Sequence, residues 1–187
     1  AEEIGGLLDA ANGHALVLFN SYAAMSAVKE RLKRQGLKWK LFTMGRNALH
    51  TTQQFKDSPG SVLLAAGAAW EGFDFPGDCV SLLVIPRLPF AYPDALKEKE
   101  RENYESLREY IQAAIVPEMQ IKLRQGFGRA IRTETDTCVI AILDERGKKR
   151  YREEMLAALP TMRQTSSLRE VERFIRQRKG KDYSLEG

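Results

Sequence analysis

The sequence is poor in the residues that build metal centres. Of its 187 residues only two are cysteines, Cys79 and Cys138, and two are histidines, His14 and His50. Each cysteine sits in an apolar run without a CxxC neighbour. Both read as buried, reduced thiols, and neither a zinc site nor an iron–sulfur cluster can be assembled from them. The histidines stand alone in unrelated contexts and read as structural or surface residues, so no bound metal is expected. No apolar run reaches the length of roughly 18 residues that a membrane-spanning helix needs. No secretory leader opens the chain, so a cytoplasmic protein is expected. A start at Ala1 without an initiator methionine fits a piece of a longer chain. Two glycine-rich signatures are also missing. Without a GxxxxGK[ST] stretch there is no phosphate loop to cradle ATP. The first strand-like run is followed by Asn20-Ser-Tyr-Ala23 rather than GxGxxG, which speaks against a Rossmann-type transferase.

What is present suits one compact α/β unit. An apolar fraction of 43% is enough to bury a real core. Lysine and arginine total 29 against 25 acidic residues, and the net charge of +4 is spread along the chain. That balance permits a nucleic-acid partner without demanding one.

Apolar runs of strand length occur at Ala15–Phe19, Lys38–Phe42, Ser61–Ala66, Cys79–Ile85 and Cys138–Leu143. They are nearly continuous rather than alternating, as expected for strands buried on both faces of a parallel sheet. Helical patterns lie between them. Met25, Val28 and Leu32 share a face after Ser21, a candidate N-cap, and Gly36 supplies the stop. Tyr104, Leu107, Ile111 and Ala114 form a stripe in the charged segment Asp94–Ile115, a possible helical excursion on the flank of the sheet. Pro117 can open a helix that carries Gln120 to about Arg132. Tyr151, Met155 and Leu159 mark another, ended by Pro160. Strands alternating with helices predict a doubly wound sheet, with ligands gathered at the carboxyl ends of its strands. Residues 1–160 are expected to form this domain. A linker, a terminal helix and a polar tail follow over 161–187, and Ser167-Leu-Arg-Glu170 has the form of a capping box with Leu168, Val171 and Phe174 inward.

Gln125, Arg129 and Arg132 stand at i, i+4 and i+7, and so project from one face of a helix. Arginine offers phosphate oxygens a planar fork and a charge that does not titrate away, which phosphoryl transfer requires. On spacing alone a solvated basic face fits as well. Gly126 and Gly128 tilt the balance, because each glycine inside a helix costs roughly 1 kcal/mol against alanine and calls for tight packing or a ligand in return.

The segment Gln125-Gly-Phe-Gly-Arg129-Ala-Ile-Arg132 resembles motif VI of superfamily 2 helicases, in the form found in the DinG/XPD family. Three segments upstream are similar to that family in the same order. Leu16-Val-Leu-Phe-Asn-Ser-Tyr22 resembles motif IV, Trp70-Glu-Gly-Phe-Asp-Phe-Pro-Gly77 resembles motif V, and Arg87-Leu-Pro-Phe90 resembles the family's KLPF turn. Taken alone, Trp70 and Phe73 read as core aromatics and Asp74–Gly77 as a turn. The resemblance spans Leu16 to Pro160. Ala66-Gly-Ala-Ala69 and Cys138 depart from the usual family residues.

The resemblance implies a RecA-like, P-loop NTPase-type sheet without its own phosphate loop, the second motor lobe of an ATP-dependent DNA helicase. Arg129 and Arg132 would be arginine fingers, ordered by Gln125. Glu71, Gly72, Asp74 and Gly128 would meet the nucleotide. Asn20, Ser21, Tyr22 and Phe90 would hold single-stranded DNA. ATP and magnesium would be held mainly by a first RecA-like lobe of the same polypeptide, any iron–sulfur cluster would lie outside this chain, and the protein would be a monomer moving 5′ to 3′ in DNA repair. The isolated domain would be inactive. A non-catalytic RecA-like nucleic-acid-binding module and another class of superfamily 2 helicase remain as alternatives. Val139-Ile-Ala-Ile-Leu-Asp144-Glu145 imitates a Walker B strand, but it follows motif VI and has no phosphate loop to serve, so it is expected to be an ordinary strand and turn.

Overall fold

A computed structural model describes residues 1–45, 47–73, 75, 79–131, 136–160 and 162–179. Five parallel strands form one sheet: β1 (Ala15–Phe19), β2 (Leu41–Thr43), β3 (Val62–Ala66), β4 (Leu82–Ile85) and β5 (Val139–Ile142), in the spatial order β2-β3-β1-β4-β5. The register sets Ala15 beside both Val62 and Leu82, and Leu82 beside Val139. β1, β3 and β4 are buried at every position, which explains their unbroken apolar runs.

Alternate residues of each strand serve two cores. Leu16, Leu18, Leu63, Ala65, Leu83 and Ile85 face α3 (Ala48–Lys56), α6 (Val116–Ala130) and α8 (Arg152–Ala157). Ala15, Val17, Phe19, Val62, Leu64 and Val84 face α1 (Glu2–Ala10), α2 (Tyr22–Arg34) and α9 (Leu168–Lys179). The sheet is therefore covered on both sides, as the doubly wound expectation requires. Ser21 caps α2 through its side chain, and Gly36 follows the helix with φ of 72°.

The amino edge of the sheet is fastened by His14. Its Nε2 accepts the Gly60 backbone N–H at 3.0 Å, and its Nδ1 lies 3.1 Å from the Asn12 carbonyl. Asn12, Gly13 and His14 all have positive φ. At Gly13 no other residue fits, since a Cβ would stand 1.8 Å from the Gly60 carbonyl oxygen.

Several expectations are corrected. The run Lys38–Phe42 yields a strand only over Leu41–Thr43, and pairing begins where the Lys40 carbonyl accepts Val62 N–H. Lys38 instead pairs with Asp9 at 3.2 Å, keeping its ammonium in water. Pro117 opens α6 as expected, though not after a break in the helical chain. Helical chain already runs from α5 (Leu107–Tyr110) through a π turn at Ile111–Ile115 into α6, where Pro117 stands in the first turn. Proline has no N–H to give to the preceding turn, and the wider turn lies directly upstream of it. The stripe Tyr104–Ala114 is not one helix face. α4 (Ala95–Arg101) ends before it, and Leu107 is exposed. On α9 the inward residues are Val171 and Ile175, which pack with Ile4 and Leu7 of α1, while Leu168 and Phe174 stay largely exposed. Glu170 pairs with Arg163 at 3.6 Å.

Candidate functional site

Four segments that are distant in sequence converge at the carboxyl edge. Trp70 ends a short 3-10 turn, Gly67–Trp70, that leaves β3, and it is 1% exposed. Its indole N–H donates to the Phe19 carbonyl at the end of β1, at 3.0 Å. The ring then meets α6 at Gly126, where a Cβ would come within 2.7 Å of Trp70 Cζ3 and 3.2 Å of Leu18 Cδ1. Lys122, one turn earlier on α6, places its ammonium 5.7 Å from the ring centre. Gly126 thus has the tight packing that a helical glycine calls for. Gly128 does not, because among the described residues nothing beyond its own helix backbone and chain neighbours lies within 4 Å of the position a Cβ would take.

Arg129 ties the last turn of α6 to the segment after Trp70. Its Nε donates to the Gln125 carbonyl at 3.1 Å, and its Nη1 reaches the Phe73 carbonyl at 3.2 Å and the Glu71 carbonyl at 3.4 Å. In return, Phe75 N–H donates to the Arg129 carbonyl at 3.4 Å. Glu71 and Gly72 are exposed at this junction, and Gly72 N–H is turned back to the Ala68 carbonyl. Gln125 is half-buried and gives Arg129 its backbone carbonyl. Asp74 and Arg132 lie outside the described residues.

The proposed nucleic-acid residues separate into anchors and an exposed ring. Asn20 Nδ2 donates to the Leu88 carbonyl at 2.9 Å, joining the exit of β1 to the exit of β4. Its buried Oδ1 has no hydrogen-bond partner among the described residues. Ser21 Oγ accepts Ala24 N–H. Tyr22 is 56% exposed and its hydroxyl stands over Gly67. Phe90 is half-buried, with its ring 4.8 Å from that of Tyr151 and the Arg146 guanidinium 4.8 Å from its centre.

Asp144, the end of the Walker B imitation, has a structural task that the sequence hid. Its carboxylate is buried, accepts Leu88 N–H at 2.9 Å, pairs with Arg146 at 2.7 Å and caps α7 (Glu145–Lys148). Burial alone would raise its pKa. The Arg146 side chain, with the backbone N–H groups of Arg146 and Leu88, outweighs burial and holds it below the ordinary carboxylate value. Only the apolar run before Asp144 is visible in the sequence, whereas its partner Leu88 is remote. Among the described residues no group of three or more His, Cys, Asp or Glu side chains is placed to hold a metal ion. No described helix is long and apolar enough to cross a membrane.

Comparison with known proteins agrees with this layout. The helicase C-terminal domain family matches residues 4–162. The chain is 34% identical over 172 residues to the ATP-dependent DNA helicase YoaA of Haemophilus influenzae, covering 90% of this chain and 27% of that protein. It is 34% identical over 166 residues to the 3′-5′ exonuclease DinG of Bacillus subtilis, covering 78% and 16%. The chain thus spans about a quarter or less of the length of these relatives. An XPD helicase structure shares the fold with a TM-score of 0.60 at 21% identity, over 77% of this chain and 27% of that one. By its matched residues, its all-parallel RecA-like sheet and the ordered contacts of motifs IV, V and VI, the chain belongs to the helicase C-terminal domain family of the DinG/XPD type.

Proposed function

We propose that this chain is the second motor lobe of an ATP-dependent DNA helicase, with residues 1–160 as the lobe and 161–187 as its linker, terminal helix and tail. The observation that carries the reading is the position of Arg129. It sits where motif VI meets motif V at the carboxyl edge, beside Gly128, whose open face leaves room for a ligand or a second lobe. A nucleotide brought there by a first lobe of the same polypeptide finds a permanent positive charge on a fixed backbone frame. Attack of water on the γ-phosphorus breaks the bond to ADP and releases inorganic phosphate, and negative charge grows on the bridging and terminal oxygens. Arg129 and Arg132 offset that charge, while Glu71, Gly72 and Asp74 border the nucleotide. The phosphate loop, the magnesium ligands and the water-activating acid come from the first lobe.

Opening and closing of the cleft moves this lobe's grip along single-stranded DNA, 5′ to 3′. The exposed ring of Tyr22 suits a base face, and the Ser21-capped start of α2 suits a phosphate. Asn20 and Phe90 serve that grip from behind by fixing the loops after β1 and β4.

The test is DNA-stimulated ATP hydrolysis by the two-lobe protein, beside its Arg132→Ala variant and with this chain alone as the blank. The reading expects a fall of at least about a hundredfold in a folded variant and silence from the isolated chain. Undiminished turnover by the variant would instead make this a non-catalytic nucleic-acid-binding module.

A further inference from the structure

A second cationic surface lies beyond β4 and β5, apart from the Trp70–Arg129 junction. An open groove of about 490 Å³ runs between the π turn and the loop before α8, lined by Leu107, Arg108, Ile111, Gln112 and Arg150. None of these side chains is acidic. Arg108 and Arg150 are exposed, and no carboxylate pairs with either among the described residues. Their neighbour Arg146, by contrast, is neutralised by Asp144. Leu107 is 52% exposed and gives the groove an apolar floor with Ile111. From the groove a ladder of cations and rings leads back towards the end of β4. Arg150 lies 5.1 Å from the Tyr151 ring centre, Tyr151 lies 4.8 Å from Phe90, and Arg146 covers Phe90 at 4.8 Å.

We propose that this groove is a second binding site for single-stranded nucleic acid, with Arg108 and Arg150 on neighbouring phosphates and an unpaired base against Leu107 and Ile111. The proposal rests on the nucleic-acid part of the reading above. It concerns residues outside the four helicase motifs. Three features select this ligand. Two unpaired guanidiniums in an acid-free groove complement a polyanion. An exposed apolar floor between them has a use for a base face, which a duplex keeps stacked. The π turn, a rare and costly element often found at functional sites, is what presents Ile111 and Gln112 to the groove. An acidic peptide could satisfy the arginines but would leave the apolar floor unused.

The test uses the whole chain and an oligo-dT strand of about twenty nucleotides, followed by fluorescence anisotropy over a series of salt concentrations. The double variant Arg108→Ala/Arg150→Ala should bind about ten-fold more weakly, and its salt slope should fall by about 1.4, the share of two phosphates on a single strand. Arg108→Lys/Arg150→Lys should keep most of the slope. Arg31→Ala/Arg34→Ala, which removes the same charge from the far end of α2, should change affinity less than two-fold, or about 0.4 kcal/mol. Photo-crosslinking of a thio-thymidine strand should label residues 107–112 and 150. Equal binding by the groove variant, with crosslinks confined to Ser21–Tyr22, overturns the second site and leaves the motor reading standing. Capture of polyglutamate but not of oligo-dT overturns it in favour of a protein partner. Absence of any strand binding by the chain overturns it as well, while the ATPase assay of the two-lobe protein decides the motor reading separately.

Discussion

Gly126 of α6 stands directly against the indole of Trp70, so close that a methyl group there would be 2.7 Å from Cζ3. Two residues along, Gly128 faces open space. The same substitution should therefore have opposite effects at the two positions. Gly126→Ala forces Trp70 or Leu18 to move and should cost this chain about 1–3 kcal/mol of overpacking, less the helix propensity gained. Gly128→Ala should gain up to about 1 kcal/mol. Urea unfolding of both variants tests this, and equal shifts in one direction would refute it. In the two-lobe protein Gly128→Ala should slow ATP hydrolysis despite its added stability, if the open space is where the nucleotide or first lobe approaches.

Arg129 is as much a tie as a charge. Its guanidinium serves the carbonyls of Gln125, Glu71 and Phe73, two of which belong to another segment. Arg129→Lys keeps the charge but cannot reach all three. It should lower stability by about 1 kcal/mol, a value reduced by the half-exposed setting of the group. It should also lower turnover of the two-lobe protein nearly as far as Arg129→Ala does. A lysine variant with full activity would mean that charge alone matters here.

Asp144 links stability to pH. Its native pKa lies below its ordinary value, so the unfolded state takes up the proton more readily. The contribution is fully present above the ordinary carboxylate value of roughly 4 and is lost as pH falls from there through the depressed native pKa. Asp144→Asn should flatten that part of the acid limb. It should also cost about 2–3 kcal/mol at neutral pH, because Arg146 loses its counter-charge and the buried Leu88 N–H loses its charged acceptor. Unfolding free energies at several pH values below neutrality measure both effects.

Burial pushes the Cys138 thiol up to about 12, and its Sγ donates to the Val139 carbonyl at 3.3 Å. Almost no thiolate then exists at neutral pH. Cys138 is only partly buried, so alkylation with iodoacetamide at pH 8 should label it much more slowly in the native chain than after unfolding, as mass spectrometry of the digested protein would reveal. Rapid labelling of the native chain would show that the thiol is open to solvent.

The sheet was legible because its inner strands are buried on both faces, and such strands announce themselves as unbroken apolar runs. Ala15–Phe19 matches β1 at both ends, and the other inner runs overreach by one to three residues at their starts. The edge strand β2 was harder to read, since Lys38 and Lys40 flank a tryptophan whose buried indole N–H has no partner among the described residues. The π turn was invisible. Its residues, Ile111–Ile115, have ordinary helix-compatible side chains, and its only local cue is the proline that follows. At the site, the motifs named Trp70, Gly126 and Arg129. They did not foretell that Trp70 would bond to Phe19 or that Arg129 would spend its donors on backbone carbonyls. Those contacts join residues far apart in sequence, and no local pattern encodes them.

The fastening at His14 separates two kinds of change that such a domain meets over evolutionary time. The three consecutive left-handed residues, the histidine bridge to Gly60 and the glycine with no room for a methyl all lie at the amino edge. The arginines, the exposed tyrosine and the groove all lie at or beyond the carboxyl edge. Loops that meet ligands can drift in length and composition while the opposite rim holds the strands in register. Conversely, a small substitution at Gly13 should abolish folding without touching any of the residues proposed to meet a partner. In such a domain, inheritance of shape and divergence of purpose are assigned to opposite ends of the same five strands.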